Sequence, residues 1–196
     1  TGIMNPQIRF GEDLMSRVSY GILNEGGVAE MTKAVCEGLQ QLITGGVEQA
    51  GFTTDDVLEV VLVGNPVMHH LLLGIDPVEL GGAPFALAVD TATEIKADEI
   101  NLSLNKGSRI YILPCIAGHV GADAAGVVLA EAPQDSSDVQ LLIDVGTNAE
   151  IILGNKDRLL AASSPTGPAF EGAQISSGQR AAPGAIERLR INPETF

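Results

Sequence analysis

Cysteine, aromatic residues and positive charge are all scarce in this chain of 196 residues. Aromatic side chains make up 4% of it, tryptophan is missing, and 11 Lys and Arg stand against 25 Asp and Glu, for a net charge of −14. With so few cations, the sequence shows no basic patch that could neutralise phosphates, so we expect no nucleic-acid partner. The same charge balance disfavours attraction to an anionic membrane surface.

The two cysteines, Cys36 and Cys115, lie far apart in apolar surroundings and form no CxxC pair. We therefore expect two buried free thiols in a reducing compartment and interpret the protein as cytoplasmic. Isolated thiols of this kind do not supply the ligand set of a zinc ion or an iron–sulfur cluster. No signal peptide is evident, and no apolar run approaches the ~20 residues that a membrane span needs.

Aliphatic and small residues are abundant instead. Hydrophobic residues make up 45% of the chain, and glycine occupies 23 positions. This composition favours an α/β fold with aliphatic strands and closely packed backbones. The chain begins at Thr1 rather than at a methionine and stops at Phe196, just after a predicted helix. We interpret it as a segment of a longer polypeptide, truncated at both ends.

Apolar periodicity predicts alternating strands and helices over residues 1–131. Two near-continuous apolar runs within this part predict strands that are buried on both faces. The predicted elements are a strand at 3–10, a helix at about 29–50, a strand at 57–63, a short helix at 66–73, a strand at 109–115 and a helix at 118–131. The less regular stretch "ATEIKADEINL" between them predicts a peripheral pair of strands.

A polar stretch, "APQDSSD", predicts a domain boundary at 132–138. Behind it, residues 139–196 predict a β-β-β-α unit. Its members are strands at 139–145, 149–153 and 159–163 and a helix at about 169–190. If the two parts of the chain are copies of one module, the first lacks an opening hairpin and the second ends after its first helix.

The central motif is "LLIDVGTNAEIIL", an apolar hairpin that we expect to be buried, with polar residues at its tip. Gly146 allows a positive φ and the close approach of a ligand to backbone N–H groups. Thr147 and Asn148 add donors for phosphate oxygens, and Asp144 is a candidate ligand of Mg²⁺. The pentapeptide alone is equally compatible with an ordinary tight turn, since Asn and Gly are common turn residues. It is neither a P-loop nor a dinucleotide-binding fingerprint.

A second polar loop follows the third predicted strand, in "SSPTGPAFEGAQISSG". Its hydroxyl groups, prolines and glycine, Ser164 and Gly167 among them, predict an anion site that leads into a helix. Glu171 would lie in the first turn of that helix, where an acid also serves simply to stabilise the helix end. Glu150 lies in an apolar strand, and an acid in that position needs a partner or a role.

The remaining candidates are histidines and one further acid. His69 and His70 are adjacent, so their side chains point about 100° apart on a helix and do not easily share one metal ion. We interpret them as ordinary packing and surface histidines. His119 and Asp123 are four residues apart on the predicted glycine-rich helix and would share a face. Asp123 is either half of a stabilising pair or a residue that lines a nucleotide site.

Taken together, the motifs resemble one family. They are "NPQIRFGEDLMSRV", "GNPVMHHLLLGIDP", "APF", "LPCIAGHVGADAAG", "LLIDVGTNAEIIL" and "SSPTGPAFEGAQISSGQRAAPGAIE". In this order they resemble the ASKHA-type ATPase region of the reductive activators of corrinoid proteins, and they cover nearly the whole chain. The resemblance implies an α/β fold of the actin/Hsp70/sugar-kinase type, built from two ribonuclease H-like subdomains with ATP between them. Residues 1–131 would be the first subdomain and 139–196 the start of the second.

The resemblance also implies a function. Full-length members use ATP to drive an electron from a ferredoxin-type [2Fe-2S] domain, which is not in this chain, onto the Co(II) corrinoid of a partner protein. Asp144, Gly146, Thr147 and Asn148 would contact the phosphates and Mg²⁺. The full-length protein is then an ATPase, and the isolated segment is expected to be inactive. The oligomeric state is left open, with a homodimer as one alternative.

Two residues depart from the family pattern. Thr166 stands where a small apolar residue is expected, and Gln179 stands where methionine is expected. Two alternative functions also stay open. One is another ASKHA ATPase or kinase, such as a dehydratase activator or a small-molecule kinase, and the other is a binding segment without catalysis.

Overall fold

The computed structural model describes residues 1–11, 13–146 and 148–165, and it has a mixed α/β architecture. Its helices are α1 (Leu14–Leu23), α2 (Gly27–Ala50), α3 (Pro66–Leu72) and α4 (Ala122–Glu131). Its strands are β1 (Glu59–Leu62), β2 (Thr93–Lys96), β3 (Arg109–Ile112), β4 (Gln140–Val145), β5 (Asn148–Asn155) and β6 (Arg158–Pro165).

The first sheet has the strand order β1-β3-β2, with β1 parallel and β2 antiparallel to β3. Helices α2 and α3 cover one of its faces, where Cys36 and Leu72 pack against Ile110 and Ile112 of β3. Each of these four side chains is at most 6% exposed. Helix α3 lies between β1 and β3 along the chain. Parallel strands need a crossover connection of this kind, which agrees with the predicted alternation of strands and helices.

Helix α2 matches the prediction for 29–50 closely. Gly26 and Gly51 flank it in the left-handed conformation, with φ of 78° and 77°. Glycine adopts this conformation without steric cost, so the two residues mark the start and the end of the helix. Met31 and Ala34 are buried along its inner face.

The second sheet has the order β4-β5-β6, and both pairs are antiparallel. One face packs on α4, where Leu142 and Ile152 meet Ala124 and Val128 of the helix. The small side chain of Ala124 allows the helix to pack closely on the sheet. The three strands of the predicted β-β-β-α unit are therefore confirmed, while its helix at about 169–190 lies outside the described residues.

The predicted strand at 3–10 is wrong. Pro6–Phe10 is a 3₁₀ helix, capped by the side chain of Asn5, which accepts a hydrogen bond from the backbone N–H of Gln7 at 2.9 Å. The turn allows the buried Gln7 to donate its side-chain N–H to the carbonyl of Met31 at 3.0 Å. Capping and one buried hydrogen bond thus outweigh the strand propensity of this stretch.

The burial predicted for two strands is also wrong. Val61 of β1 is 57% exposed, and Leu141 and Ile143 of β4 are 57% and 55% exposed. Both strands lie at the edge of their sheets, and each has one packed face, which carries Val60 and Leu62 in β1 and Leu142 in β4, and one exposed face. The predicted peripheral strand pair is the single strand β2, followed by a 3₁₀ helix at Ala97–Ile100.

Candidate functional site

The tip of the β4–β5 hairpin projects beyond its last strand pair, Val145 and Ala149. The N–H of Gly146 donates to the carbonyl of Asn148 at 2.7 Å. Gly146 does not adopt the positive φ that the sequence suggested, and among the described residues a Cβ built on it would meet that carbonyl at 3.6 Å, an ordinary van der Waals distance. The glycine thus presents a backbone without a side chain at the tip of the hairpin.

Strand register brings Asp144, Glu150 and Ser163 onto one face of the second sheet. Asp144 pairs directly with Glu150, and Glu150 pairs directly with Ser163 of β6. The hydroxyl of Ser163 donates to Oε1 of Glu150 at 3.1 Å. We call this face, which also packs on α4, the acid face. Asn148 lies two residues from Glu150 on the same strand and therefore on the same face.

Asp123 joins the acid face from α4. It lies in the first turn of the helix, where Oδ1 accepts a hydrogen bond from the N–H of Ala124 at 2.9 Å. Burial raises the pKa of the Asp123 carboxyl, and the charge of Asp144 raises it further. The hydrogen bond from Ala124 acts in the opposite direction. Helix α4 thus contributes a carboxyl whose pKa is raised by burial and by the charge of Asp144 on the second sheet.

Burial and the charges of Asp123 and Asp144 also act on the pKa of Glu150. Partial burial is the main cause that raises its pKa, and the charges of Asp123 and Asp144 add to it. The hydroxyl of Ser163 lowers the pKa of Glu150 by hydrogen bonding to the ionised form. The acid in the apolar strand therefore has a partner, and Ser163 is a site residue that the sequence analysis did not select.

Ser163 was missed because the sequence predicted a loop from 163 onward. Strand β6 continues to Pro165, and its register decides which serine faces the acids. Ser164, which was predicted to bind the cofactor, pairs with Ala149 and lies on the opposite face of the sheet from Glu150. A strand predicted as far as Pro165 would have identified Ser163, because side chains alternate between the two faces of a strand.

No cation balances these acids within the part of the chain that the structure describes. The ion pairs found there join Lys33 to Glu37 at 3.8 Å and Arg109 to Glu94 at 3.7 Å, both outside the acid face. Over the same residues, no group of three His, Cys, Asp or Glu side chains is arranged to hold a metal ion by itself.

Several predicted residues fall outside the described part of the chain. They are Thr147; Gly167 and Glu171, which the sequence places in a predicted loop and helix after β6; and the two departures from the family pattern, Thr166 and Gln179. Their roles stay predictions.

The histidines are not ligands of this site. His119 precedes α4 rather than lying on it, and its ring packs edge-on against that of Phe85, with 4.4 Å between the ring centroids. The proposed helical pair with Asp123 is therefore wrong, because the helix begins only at Ala122. His69 and His70 are both buried, which confirms packing histidines and contradicts a surface position.

The cysteines match their prediction, since Cys36 and Cys115 are free and buried. Burial raises the pKa of the Cys115 thiol to about 11. A thiol with so high a pKa is protonated at neutral pH and is a poor nucleophile or metal ligand.

A cavity of about 870 Å³ lies away from the acid face, along α2 between Gly26 and Gln40, and most of its lining is apolar. We place the candidate site at the acid face instead, because several carboxyl groups come together there.

Comparison with known proteins extends these observations. The profile of the RACo middle region matches residues 1–135, and that of the C-terminal domain of RACo, the ASKHA domain, matches residues 138–196. The chain belongs to the RACo family. The ASKHA match, together with the mixed α/β architecture, confirms the predicted fold class.

RACo relatives are similar along nearly the whole chain. The corrinoid activation enzyme RamQ of Eubacterium limosum is 37% identical over 187 residues, which are 95% of this chain and 31% of RamQ. A solved structure, described as a reductive activator for corrinoid,iron-sulfur protein, is 38% identical with a TM-score of 0.82, covering 94% of this chain and 29% of that one. The chain therefore spans about a third of the length of these relatives.

A third relative matches a shorter stretch. The [Co(II) methylated amine-specific corrinoid protein] reductase of Methanosarcina barkeri is 44% identical over 85 residues, which are 43% of this chain and 15% of that protein. Independently of these likenesses, no helix among the described residues has the length and apolarity that a membrane crossing would require.

Proposed function

We propose that this segment forms half of a Mg²⁺-ATP site in a reductive activator of corrinoid proteins. The observation that carries the proposal is the acid face, where Asp144 and Glu150 are directly opposite each other and Asp123 is close by. Like charges in direct cross-strand positions destabilise a sheet. Asp144 and Glu150 form such a pair, and they have no cation partner in the described part of the chain. The pair is therefore suited to binding a divalent cation.

The donor groups fit Mg²⁺ and phosphate. Mg²⁺ prefers hard oxygen ligands and is usually held by one or two carboxylates together with waters and substrate phosphates. A protein cage of three ligands is therefore not required. Without a side chain, Gly146 would let phosphate oxygens approach the hairpin backbone, and the half-buried Asn148 adds a side-chain amide beside it.

Each residue then has a distinct role. Asp144, the most exposed of the acids, holds Mg²⁺ directly or through water, while Gly146, Thr147 and Asn148 contact the phosphates. Oε1 of Glu150 accepts the hydrogen bond from Ser163, and we assign to this carboxyl the role of orienting a water molecule. A raised pKa suits Glu150 to this role, because it holds a proton more readily than an ordinary carboxylate.

Residues beyond β6 complete this proposal. We keep Gly167 and Glu171 as residues that contact phosphate or water, and we leave Ser164 out because of its position on the opposite face. Bound Mg²⁺ would neutralise the negative charge of the phosphates and so assist their transfer to water.

The partner follows from the family. RamQ is named a corrinoid activation enzyme and the Methanosarcina relative a reductase of a Co(II) corrinoid protein. These names support a role in the reduction of a Co(II) corrinoid protein. In the proposed role, ATP drives an electron to that corrinoid from a [2Fe-2S] cluster held outside this segment, and the partner protein is cytoplasmic. Residues 1–131 would form the first ASKHA subdomain, 132–138 a linker and 139–196 the second. The burial of Cys36 and Cys115 in separate hydrophobic clusters does not favour the dehydratase activators, which hold a cluster between subdomains.

Replacement of Asp144 tests the nucleotide site. In the full-length protein, Asp144→Asn removes the charge that would hold Mg²⁺, and we expect the Mg²⁺ concentration for half-maximal ATP hydrolysis to rise about 10- to 100-fold. A suitable control is Asp157→Asn, because Asp157 is an exposed acid in the turn between β5 and β6, at the far end of the same sheet. Unchanged turnover and unchanged Mg²⁺ dependence in Asp144→Asn would remove this residue from the site.

Reduction of a corrinoid tests the partner. The full-length protein, reduced under anaerobic conditions, is mixed with a Co(II) corrinoid protein, and formation of Co(I) is followed by its visible absorption. We expect Co(I) to form with Mg²⁺-ATP and not without it. Equal formation in both samples would contradict the coupling to ATP.

A further inference from the structure

We infer that Gly121 is a positioning residue for the acid face: its missing side chain allows the turn at Gly64 and Asn65 to hold the start of α4, and thereby fixes the carboxyl of Asp123. The inference rests on the proposed function, which makes Asp123 part of a cation site. It assigns a role to a glycine that neither strand register nor motif singled out.

Space, not backbone conformation, requires the glycine. Gly121 has φ of −84° and ψ of −172°, an extended conformation that any residue adopts. A Cβ at this position would lie 2.6 Å from the carbonyl oxygen of Gly64, 2.6 Å from Cα of Asn65 and 2.5 Å from Oδ1 of Asp123. Two of these three atoms belong to the backbone and cannot turn away, so even alanine would force the turn and the helix apart.

Hydrogen bonds show what the close contact achieves. The carbonyl of Gly64 accepts from the N–H of Ala122 at 2.9 Å and from that of Asp123 at 3.3 Å. These groups lie in the first turn of a helix and have no partner within it, so the Gly64 carbonyl replaces a capping side chain. The backbone of Asp123 is therefore bonded directly to the turn.

The turn is itself held firmly. Oδ1 of Asn65 accepts from the N–H of Met68 at 2.9 Å and so caps α3. On the other side, Ala124 of α4 is fully buried against the second sheet. Asp123 is thus held between an anchored turn and a packed helix, and a displacement of the turn would move its carboxyl relative to Asp144.

The primary test is Gly121→Ala in the full-length protein. We expect the Mg²⁺ concentration for half-maximal ATP hydrolysis to rise about tenfold, as is common when a residue that orients a metal ligand is changed. Gly126→Ala is the matched control: it lies on the same helix, and within the described part of the chain its Cβ would meet only Cγ1 of Val63, at 3.4 Å. We expect Gly126→Ala to retain the wild-type Mg²⁺ dependence.

A double-mutant cycle with Asp123→Asn separates positioning from general damage to the fold. If Gly121 acts through Asp123, Gly121→Ala has no further effect on Mg²⁺ dependence once Asp123 is asparagine. An equal loss in both backgrounds overturns the inference, as does a wild-type Mg²⁺ dependence in Gly121→Ala.

A titration that does not involve ATP keeps this test apart from the proposed function. The pKa of Asp123, followed through its carboxyl ¹³C signal, should shift in Gly121→Ala and stay unchanged in Gly126→Ala, even if Asp144→Asn proves to have no effect on hydrolysis. Asn65→Ala loosens the turn without adding atoms and should shift the pKa of Asp123 as well, so the test remains if Gly121→Ala does not fold. An unshifted pKa in the folded variants overturns the inference.

Discussion

Two adjacent histidines on α3 show, at the scale of single residues, how burial and hydrogen bonding decide a protonation state. Nδ1 of His70 lies 2.8 Å from the carbonyl of Pro66, and Nε2 accepts from the N–H of Ala88 at 3.0 Å. A carbonyl only accepts, so Nδ1 carries the proton and the ring is neutral. His69 is 3% exposed, borders a cavity of about 80 Å³, and finds no hydrogen-bond partner among the described residues for either ring nitrogen.

Both histidines should make the fold sensitive to acid. Burial lowers the pKa of His69 and of His70 in the folded state, and the neighbouring ring lowers that of His69 further. As the pH falls below about 6.5, the unfolded chain therefore binds protons first, and the free energy of unfolding decreases. Urea denaturation at pH 7.5 and at lower pH values would measure the decrease.

His69→Leu isolates one of the two contributions. It removes two buried nitrogens without partners, so we expect the free energy of unfolding at pH 7 to rise by about 1 kcal/mol. The loss of stability between pH 7 and pH 5 should also be smaller than in the wild type. A lower stability at pH 7 would show that the imidazole makes a hydrogen bond in solution.

At the scale of elements, the alternation of side chains along each strand decides which residues of the second sheet lie beside the acids. Asp144, Glu150 and Ser163 share the face that packs on α4. Ser164 and Ile143 belong to the opposite face, where Ile143 is 55% exposed. A shift of one residue in register would reverse this arrangement, so the strand pairing decides which hydroxyl contacts the acids.

Adjacent serines provide a direct test of this register. Ser163→Ala removes the hydrogen bond that favours ionised Glu150, and we expect the pKa of Glu150 to rise above its already raised value. Ser164→Ala, on the other face, should leave the pKa of Glu150 unchanged. The carboxyl ¹³C titration of Glu150 measures both, and the reverse result would contradict the register of β5 and β6.

At the scale of the whole molecule, α4 connects the two parts of the chain. Its start is bonded to the Gly64 carbonyl beside the first sheet, and its length packs against Leu142 and Ile152 of the second. The acid face therefore combines residues from both parts, since Asp123 comes from the helix and Asp144 from the hairpin. A nucleotide site built this way depends on the packing of α4.

Loss of that packing should destabilise the protein. Ile152 is 3% exposed in the cluster with α4, and Ile152→Ala is expected to reduce the free energy of unfolding by about 2–5 kcal/mol. Leu141→Ala is the control, because Leu141 lies on the opposite face and is 57% exposed; we expect a cost below about 1 kcal/mol. Equal costs would show that both faces are covered in solution.

Local patterns were sufficient to predict much of the fold. Helical periodicity predicted α2 between its flanking glycines, and the short helix predicted at 66–73 is α3, which Asn65 caps and Pro66 begins. The hairpin tip, the three strands around it and the buried free thiols were also predicted correctly. Such features depend on residues that are near in sequence, so the sequence contains their physical cause.

Features that depend on distant residues were predicted poorly. Pro6–Phe10 forms a 3₁₀ helix because the Gln7 side chain reaches Met31 on α2, a contact that no local pattern reveals. Likewise, β1 and β4 read as fully buried, although they are edge strands with one covered face in the described part of the chain. Apolar composition does not distinguish a strand buried on both faces from an exposed one.

The sequence by itself determined the polar hairpin tip and the presence of Asp123, Asp144 and Glu150 in the chain. Only the tertiary structure decided that these acids meet, that Ser163 rather than Ser164 contacts them, and that Gly121 must be a glycine. The physical reason is that strand register and backbone contact act between residues far apart along the chain. The pKa of Asp123 and that of Glu150 are raised only because folding buries these carboxyls and brings other charges beside them.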